Sequence, residues 1–143
     1  MRRLAIVLVL VLALTACGGS SHPKTSSGPS AEEQIKSAYV KFFSSKTDAA
    51  EKVKLLENGK QFKPIIQIFA SNPLASNVSA TVSSVTLQGT NKAKVVYVVK
   101  FGGTALPEQT GTAVRENGTW KVGDASLCKL ISLSGTTPSA CKS

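Results

Sequence analysis

The stretch TGTAVRENGTWKV, residues 110–122, decides the fold because it encodes the clearest β-hairpin of the chain. Two strand-like runs, 110–116 and 119–122, flank the dipeptide Asn117-Gly118. Asn and Gly tolerate the positive φ angles of a type I′ turn, whose twist matches that of paired strands. The hairpin therefore predicts antiparallel pairing in the C-terminal half of the chain.

Two further strands are predicted upstream of the hairpin. Apolar residues alternate with polar ones over 78–82 and resume one residue out of phase at 85–87. A β-bulge near Ser83 or Ser84 would account for the shift and would bend the strand. After a turn, residues 94–101 form a strand that is apolar on both faces at its middle, so we expect both faces to be covered there.

Helical patterns precede these strands, and one follows them. Ser30 and Glu33 form a capping box at the start of a predicted helix over 31–44. Residues 125–133 are compatible with a short closing helix. The remaining helical signals lie between the first helix and the first strand.

Asp48 repeats the start signal for a second helix, and Gly59 is placed to end it. A third helix is predicted over 60–71, with Pro64 in its first turn, where the missing N–H of proline is tolerated. The apolar residues expected on its buried side are Ile65, Ile66, Ile68 and Phe69.

This order of elements predicts an α+β fold, with N-terminal helices packed on a curved four-stranded antiparallel sheet. Residues 31–133 resemble the actinobacterial low-molecular-weight secreted-antigen family, above all in the run NGTWKVGDASLC at 117–128. The resemblance implies a cone-like domain of the nuclear-transport-factor-like, cystatin-like type. The resemblance assigns no catalytic residues to this chain.

The N-terminus has the pattern of an export signal. Arg2 and Arg3 precede 13 uncharged residues, 4–16, whereas a transmembrane helix needs about 20 apolar residues. The junction Leu14-Thr15-Ala16-Cys17 resembles the bacterial lipobox. The resemblance implies cleavage before Cys17, diacylglycerol on its thiol, and an extracytoplasmic protein held at the cell membrane by lipid. An ordinary signal peptide that happens to carry a cysteine is the alternative.

The mature chain then divides into a tether and one domain. Residues 17–30 comprise the lipidated cysteine and a segment rich in Gly, Ser, Pro and Thr, with a typical span of roughly 20 Å. Residues 31–143 form the predicted domain. In an oxidising compartment, Cys128 and Cys141 are expected to form a disulfide. The alternatives are that the two cysteines bind a metal ion or that one of them is a reactive thiol. Either would need His or acidic residues nearby, and no such residues stand out in the sequence.

Charge and composition limit the partners. The net charge of +9 falls by two, to +7, when the leader is removed, and the lysines are spread along the chain. This fits either attraction to anionic lipids or acidic wall polymers, or a solvated basic surface. Nucleic acid is not expected, because basic and aromatic residues are not interleaved.

The sequence lacks the residue sets of common enzymes. Its single histidine, His22, falls in the tether, and the acids Glu108, Glu116 and Asp124 lie near predicted loops and strand ends. There is no Ser-His-Asp set, zinc-ligand spacing or phosphate loop. We therefore expect no catalysis, metal or cofactor.

Two non-catalytic functions remain open. The domain could bind a cell-wall component or another exported protein, or its interior could carry a small apolar ligand or lipid. Aromatic residues would line such an interior, although packing in the core is the favoured explanation for them, because a domain this small needs its aromatic residues inside. The candidate lining residues are Tyr39, Phe42, Phe69, Tyr97, Phe101 and Trp120.

Overall fold

The computed structural model describes residues 28–142, so the predicted leader, Cys17 and most of the tether lie outside the described residues. In chain order, the helices and strands within this range are α1 Ala31–Phe43, α2 Ala49–Leu55, α3 Gly59–Ala70, β1 Val78–Leu87, β2 Lys92–Phe101, β3 Thr104–Ala105, β4 Gln109–Glu116, β5 Thr119–Val122 and α4 Asp124–Ser132. Short 3₁₀ helices cover Pro73–Asn77 and Ser139–Cys141.

The sheet is antiparallel, with the four main strands in the order β1-β2-β4-β5. The predicted α+β fold with a curved sheet is confirmed. The short β3, which the sequence did not predict, pairs with the end of β2. The hairpin turn has φ values of 49° at Asn117 and 80° at Gly118, and the register of β1 shifts between Val82 and Ser84. The predicted turn and bulge are therefore both present.

The two predicted helix starts are also correct. The Ser30 hydroxyl accepts the Glu33 N–H at 3.2 Å, and the Glu33 carboxylate accepts the Ser30 N–H at 2.7 Å. The Asp48 carboxylate accepts the Glu51 N–H at 2.8 Å. Each cap satisfies backbone donors that have no partner within the helix, which fixes where α1 and α2 begin.

The prediction that Gly59 ends the second helix is wrong, because Gly59 begins α3. The chain leaves α2 at Leu56, which forms a bridge with Val122 of β5 and is fully buried. Asn58 then makes the reversal with a φ of 52°. A Cβ at Gly59 would overlap the Val53 carbonyl, so glycine is required by close packing of α3 on α2.

Two expectations for α3 are also corrected. Pro64 lies in the second turn because the helix begins at Gly59, and its exposed position faces away from the core. Phe62 and Ile66, four residues apart, form the buried stripe. Ile68 lies off that stripe and is exposed. Phe69 is on the stripe but extends beyond the core at the end of the helix, where it is exposed as well.

The core lies between the helices and one face of the sheet. Val95, Tyr97 and Val99 of β2 are fully buried on that face. Val96 and Val98, on the opposite face, are half-buried. The sequence predicted that both faces of β2 would be covered at its middle. One face is fully buried there and the other is only partly buried.

Candidate functional site

An open cleft of about 930 Å³ lies between the sheet and the helices, where α1 ends and α2 begins. This volume falls within the range of about 300–1,000 Å³ that is typical of small-molecule sites. Four elements, α1, α3, β2 and α4, provide its main apolar walls, because the helical and strand periodicities bring their apolar faces together here. The main wall residues are Phe42, Phe43, Ile66, Val99, Leu127, Leu130 and Ile131.

Three large apolar side chains of the cleft are exposed. Phe69 at the end of α3 is 46% exposed, Leu74 of the 3₁₀ helix is 80% exposed, and Phe101 at the end of β2 is 44% exposed. Single exposed apolar residues are common, whereas a group of them that borders one apolar cavity is a feature typical of binding surfaces. We call these three residues the apolar rim.

Charged side chains lie on the α2 side of the cleft. Asp48 and Lys46 are exposed, and the Asp48 carboxylate is engaged by the Glu51 N–H. Lys52 is half-buried, and burial lowers the pKa of its ammonium group. Within residues 28–142, the Lys52 ammonium makes no hydrogen bond or ion pair. The cleft thus combines apolar walls with a partly desolvated cation.

The six aromatic residues predicted to line an interior divide into two groups. Phe42, Phe69 and Phe101 lie in the cleft. Tyr39, Tyr97 and Trp120 are buried in the core and do not line the cleft. Both tyrosines belong to an aromatic cluster around Phe43, in which the Tyr97 ring stacks on Phe43 at a centroid distance of 5.5 Å.

The two buried tyrosine hydroxyls have different surroundings. The Tyr39 hydroxyl donates to the Thr112 carbonyl at 2.6 Å and lies 3.1 Å from the Ser126 hydroxyl. The Tyr97 hydroxyl is buried without a hydrogen-bond partner among the described residues. Burial raises the pKa of Tyr39 above its usual range and that of Tyr97 to about 12, so both phenols are neutral.

This difference predicts opposite effects of two matched substitutions. Tyr39→Phe should lower the free energy of unfolding by about 1 kcal/mol, because it removes a net-stabilising buried hydrogen bond. Tyr97→Phe should leave it unchanged or raise it slightly, because it removes an unpaired polar group. Urea denaturation of both variants measures this, and equal losses would contradict it.

The acids of the described chain are held in structural contacts. Glu116 pairs with Lys121 across the hairpin at 2.7 Å, and Glu108 accepts the Ser83 hydroxyl. The Asp124 carboxylate accepts an amide N–H from Asn58 at 2.9 Å. Asp124 therefore ties the start of α4 to the α2–α3 reversal.

Glu57 lies beside Asp124 and accepts its backbone N–H at 3.2 Å. Burial raises the pKa of Glu57, and this hydrogen bond opposes the rise. Among residues 28–142, no group of three or more His, Cys, Asp or Glu side chains is placed to hold a metal ion. His22 lies outside the described residues.

The expected disulfide is present. Cys128 of α4 is bonded to Cys141, with a Cα–Cα distance of 5.6 Å. The bond ties the C-terminal segment to the helix that carries three cleft residues, Leu127, Leu130 and Ile131. It therefore constrains the helix that forms one wall of the cleft.

Sequence reasoning missed two parts of this site. Lys52 was one of several scattered lysines, and no local pattern separates it from Lys54, which is exposed and lies 3.7 Å from the Glu51 carboxylate. Leu74 follows the Asn-Pro pair that closes α3, and only the tertiary fold places it in the same cleft as Phe101. No signal in the sequence identified either residue.

Comparison with known proteins gives one family. The family model of the C-terminal domain of the low molecular weight antigen MTB12 matches residues 28–138. Among curated proteins, none matches the chain. In the described part of the chain, no helix is both long and apolar enough to cross a membrane.

Proposed function

The chain belongs to the family of the low molecular weight antigen MTB12, and from that membership we propose that it is a non-catalytic binding protein of the cell envelope whose cleft holds an apolar ligand. The observation that carries the proposal is the cleft of about 930 Å³ with its apolar walls and apolar rim. Transfer of an apolar ligand from water to such walls is favourable by about 25 cal/mol per Å² of apolar surface buried.

The envelope location rests on the family of secreted antigens and on the export signal. Lipid on Cys17 would hold the domain near a membrane, because two or more acyl chains give stable anchoring. The tether would allow the domain to remain within roughly 20 Å of the lipid surface. An apolar ligand with low solubility would then be taken up or released close to the membrane.

Ligand binding can be tested by blocking the cleft. Ala70 lines it at the end of α3 and is exposed, so Ala70→Trp should fill space in the cleft without disturbing the core. We expect this variant to bind an environment-sensitive apolar fluorophore at least about ten-fold more weakly than the unsubstituted protein.

The matched control is Gln67→Trp, one turn earlier on the same helix, where the residue is exposed and outside the cleft. It should bind the fluorophore with unchanged affinity. Native mass spectrometry of the purified protein provides a second readout, since a copurifying ligand would add a discrete mass. No fluorophore binding by the unsubstituted protein, or equal binding by both variants, would contradict the proposal.

Binding of another exported protein is a second candidate, and exposed apolar residues outside the cleft favour it. Ile68 is 69% exposed on α3, and Leu133 is 61% exposed after α4. Crosslinking in intact cells, followed by capture of the protein, would test this function. Ile68→Glu should reduce the yield of a specific partner, whereas Ala70→Trp should not.

A further inference from the structure

We infer that the ligand of the cleft is an anionic single-chain amphiphile, a long-chain carboxylate, whose head group pairs with Lys52 while its chain lies on the apolar walls. This inference rests on the proposed function and names the chemical class that the site would select.

The position of Lys52 is the first step. Its side chain lies on the cleft wall and is half-buried, and none of the described residues supplies a carboxylate within ion-pair distance of its ammonium group. A desolvated charge is costly unless it is paired. Lys54, two residues later on the same helix, instead lies 3.7 Å from the carboxylate of Glu51. An anionic ligand would thus supply the counterion that Lys52 lacks among the described residues.

The other two charges of the lining, Lys46 and Asp48, have opposite signs, so together with Lys52 the lining carries one net positive charge. Lys46 adds a second ammonium group to the lining. Asp48 contributes a carboxylate, but its oxygen accepts the Glu51 N–H at 2.8 Å as the cap of α2. Burial lowers the pKa of Lys52, as expected when no counterion is present. A carboxylate here would form a charge-assisted hydrogen bond, which is stronger than a neutral one.

The remainder of the cleft sets the size and polarity of the ligand. Besides Lys52, the lining includes the apolar side chains of Phe42, Ile66 and Ile131 and the apolar rim. A cavity of about 930 Å³ is near the upper end of the range for one small molecule. These features fit one extended hydrocarbon chain with a charged group at one end.

The test is competition between ligands that differ only in the head group. A fluorescent long-chain carboxylate is bound to the intact domain and displaced with palmitate or with the uncharged alcohol of equal chain length. We expect palmitate to displace the probe at about ten-fold lower concentration, the effect of one charge-assisted hydrogen bond. Lys52→Gln should remove this preference, and Lys54→Gln should retain it.

The outcomes separate the two proposals. Equal displacement by acid and alcohol, or an undiminished preference in Lys52→Gln, would overturn the anionic ligand and leave apolar binding in place. Failure of every chain to bind would overturn both. Circular dichroism and thermal unfolding should show that Lys52→Gln folds like the unsubstituted protein, since the substitution removes the charge of a half-buried side chain and retains part of its aliphatic stem.

Discussion

Replacing Cys17 by alanine should abolish incorporation of labelled fatty acid when the protein is expressed in a bacterium that lipidates exported proteins. In the proposed lipid anchor, the thiolate of Cys17 would be the nucleophile that takes the lipid, and no other residue near the junction offers a thiol. Removal of the proposed acyl chains would weaken membrane attachment strongly, because each buried methylene contributes about 0.8 kcal/mol and all of these contributions would be lost together. The protein should therefore move from the membrane fraction to the soluble fraction or remain unprocessed.

Ser20→Ala is the matched control, because it changes a small residue of the tether and leaves the Leu14–Cys17 motif intact. It should be labelled and sedimented with membranes like the unsubstituted protein. Fatty-acid labelling that persists in Cys17→Ala would refute the proposed lipid anchor. The ligand-binding assays use the domain in solution, so their results stand independently of this one.

Most of the fold could be predicted from local sequence signals. The Asn117-Gly118 turn, the Ser30 and Asp48 caps and the bulge before Ser84 each depend on interactions among residues close in sequence or on one strand pairing. Such interactions restrict the backbone by themselves, so their residue types are recognisable without knowledge of the fold. The order of elements then sufficed to predict an α+β fold.

The α2–α3 reversal could not be predicted in the same way. Both Asn58 and Gly59 are compatible with a helix end, and the sequence does not show that Leu56 pairs with Val122, 66 residues later. That contact draws the chain out of the helix before Gly59. The glycine is instead required by the approach of the Val53 carbonyl, which exists only after α2 and α3 have packed.

The cleft has the same dependence on tertiary structure. Phe42, Phe69 and Phe101 were candidates for an interior, but so were the core residues Tyr39 and Tyr97, and periodicity assigns all of them to apolar faces. Which aromatic residues border the cleft depends on where each element ends relative to its neighbours. Residue type therefore predicted that apolar residues would line an interior. Which of these residues line the cleft is determined by the tertiary fold.

Removing the disulfide by the double substitution Cys128→Ala and Cys141→Ala should lower the free energy of unfolding by about 3 kcal/mol. The bond joins residues 13 apart, and closing a loop of this length restricts the unfolded chain by about that amount in the chain-entropy model. For a domain of this size, the loss corresponds to a fall in the melting temperature of roughly 10 °C or more. Thermal unfolding monitored by circular dichroism measures it.

Reductant provides the control for this prediction, because it should lower the melting temperature of the unsubstituted protein and leave that of the double variant unchanged. A reductant-insensitive melting temperature in the unsubstituted protein, with two free thiols by mass, would contradict the disulfide. The bond also affects the cleft, since Cys128 is adjacent in sequence to the wall residue Leu127 and lies on the same helix as Ile131. Below the melting transition, the double variant should therefore bind the apolar fluorophore more weakly, because a less constrained α4 makes the wall less preorganised.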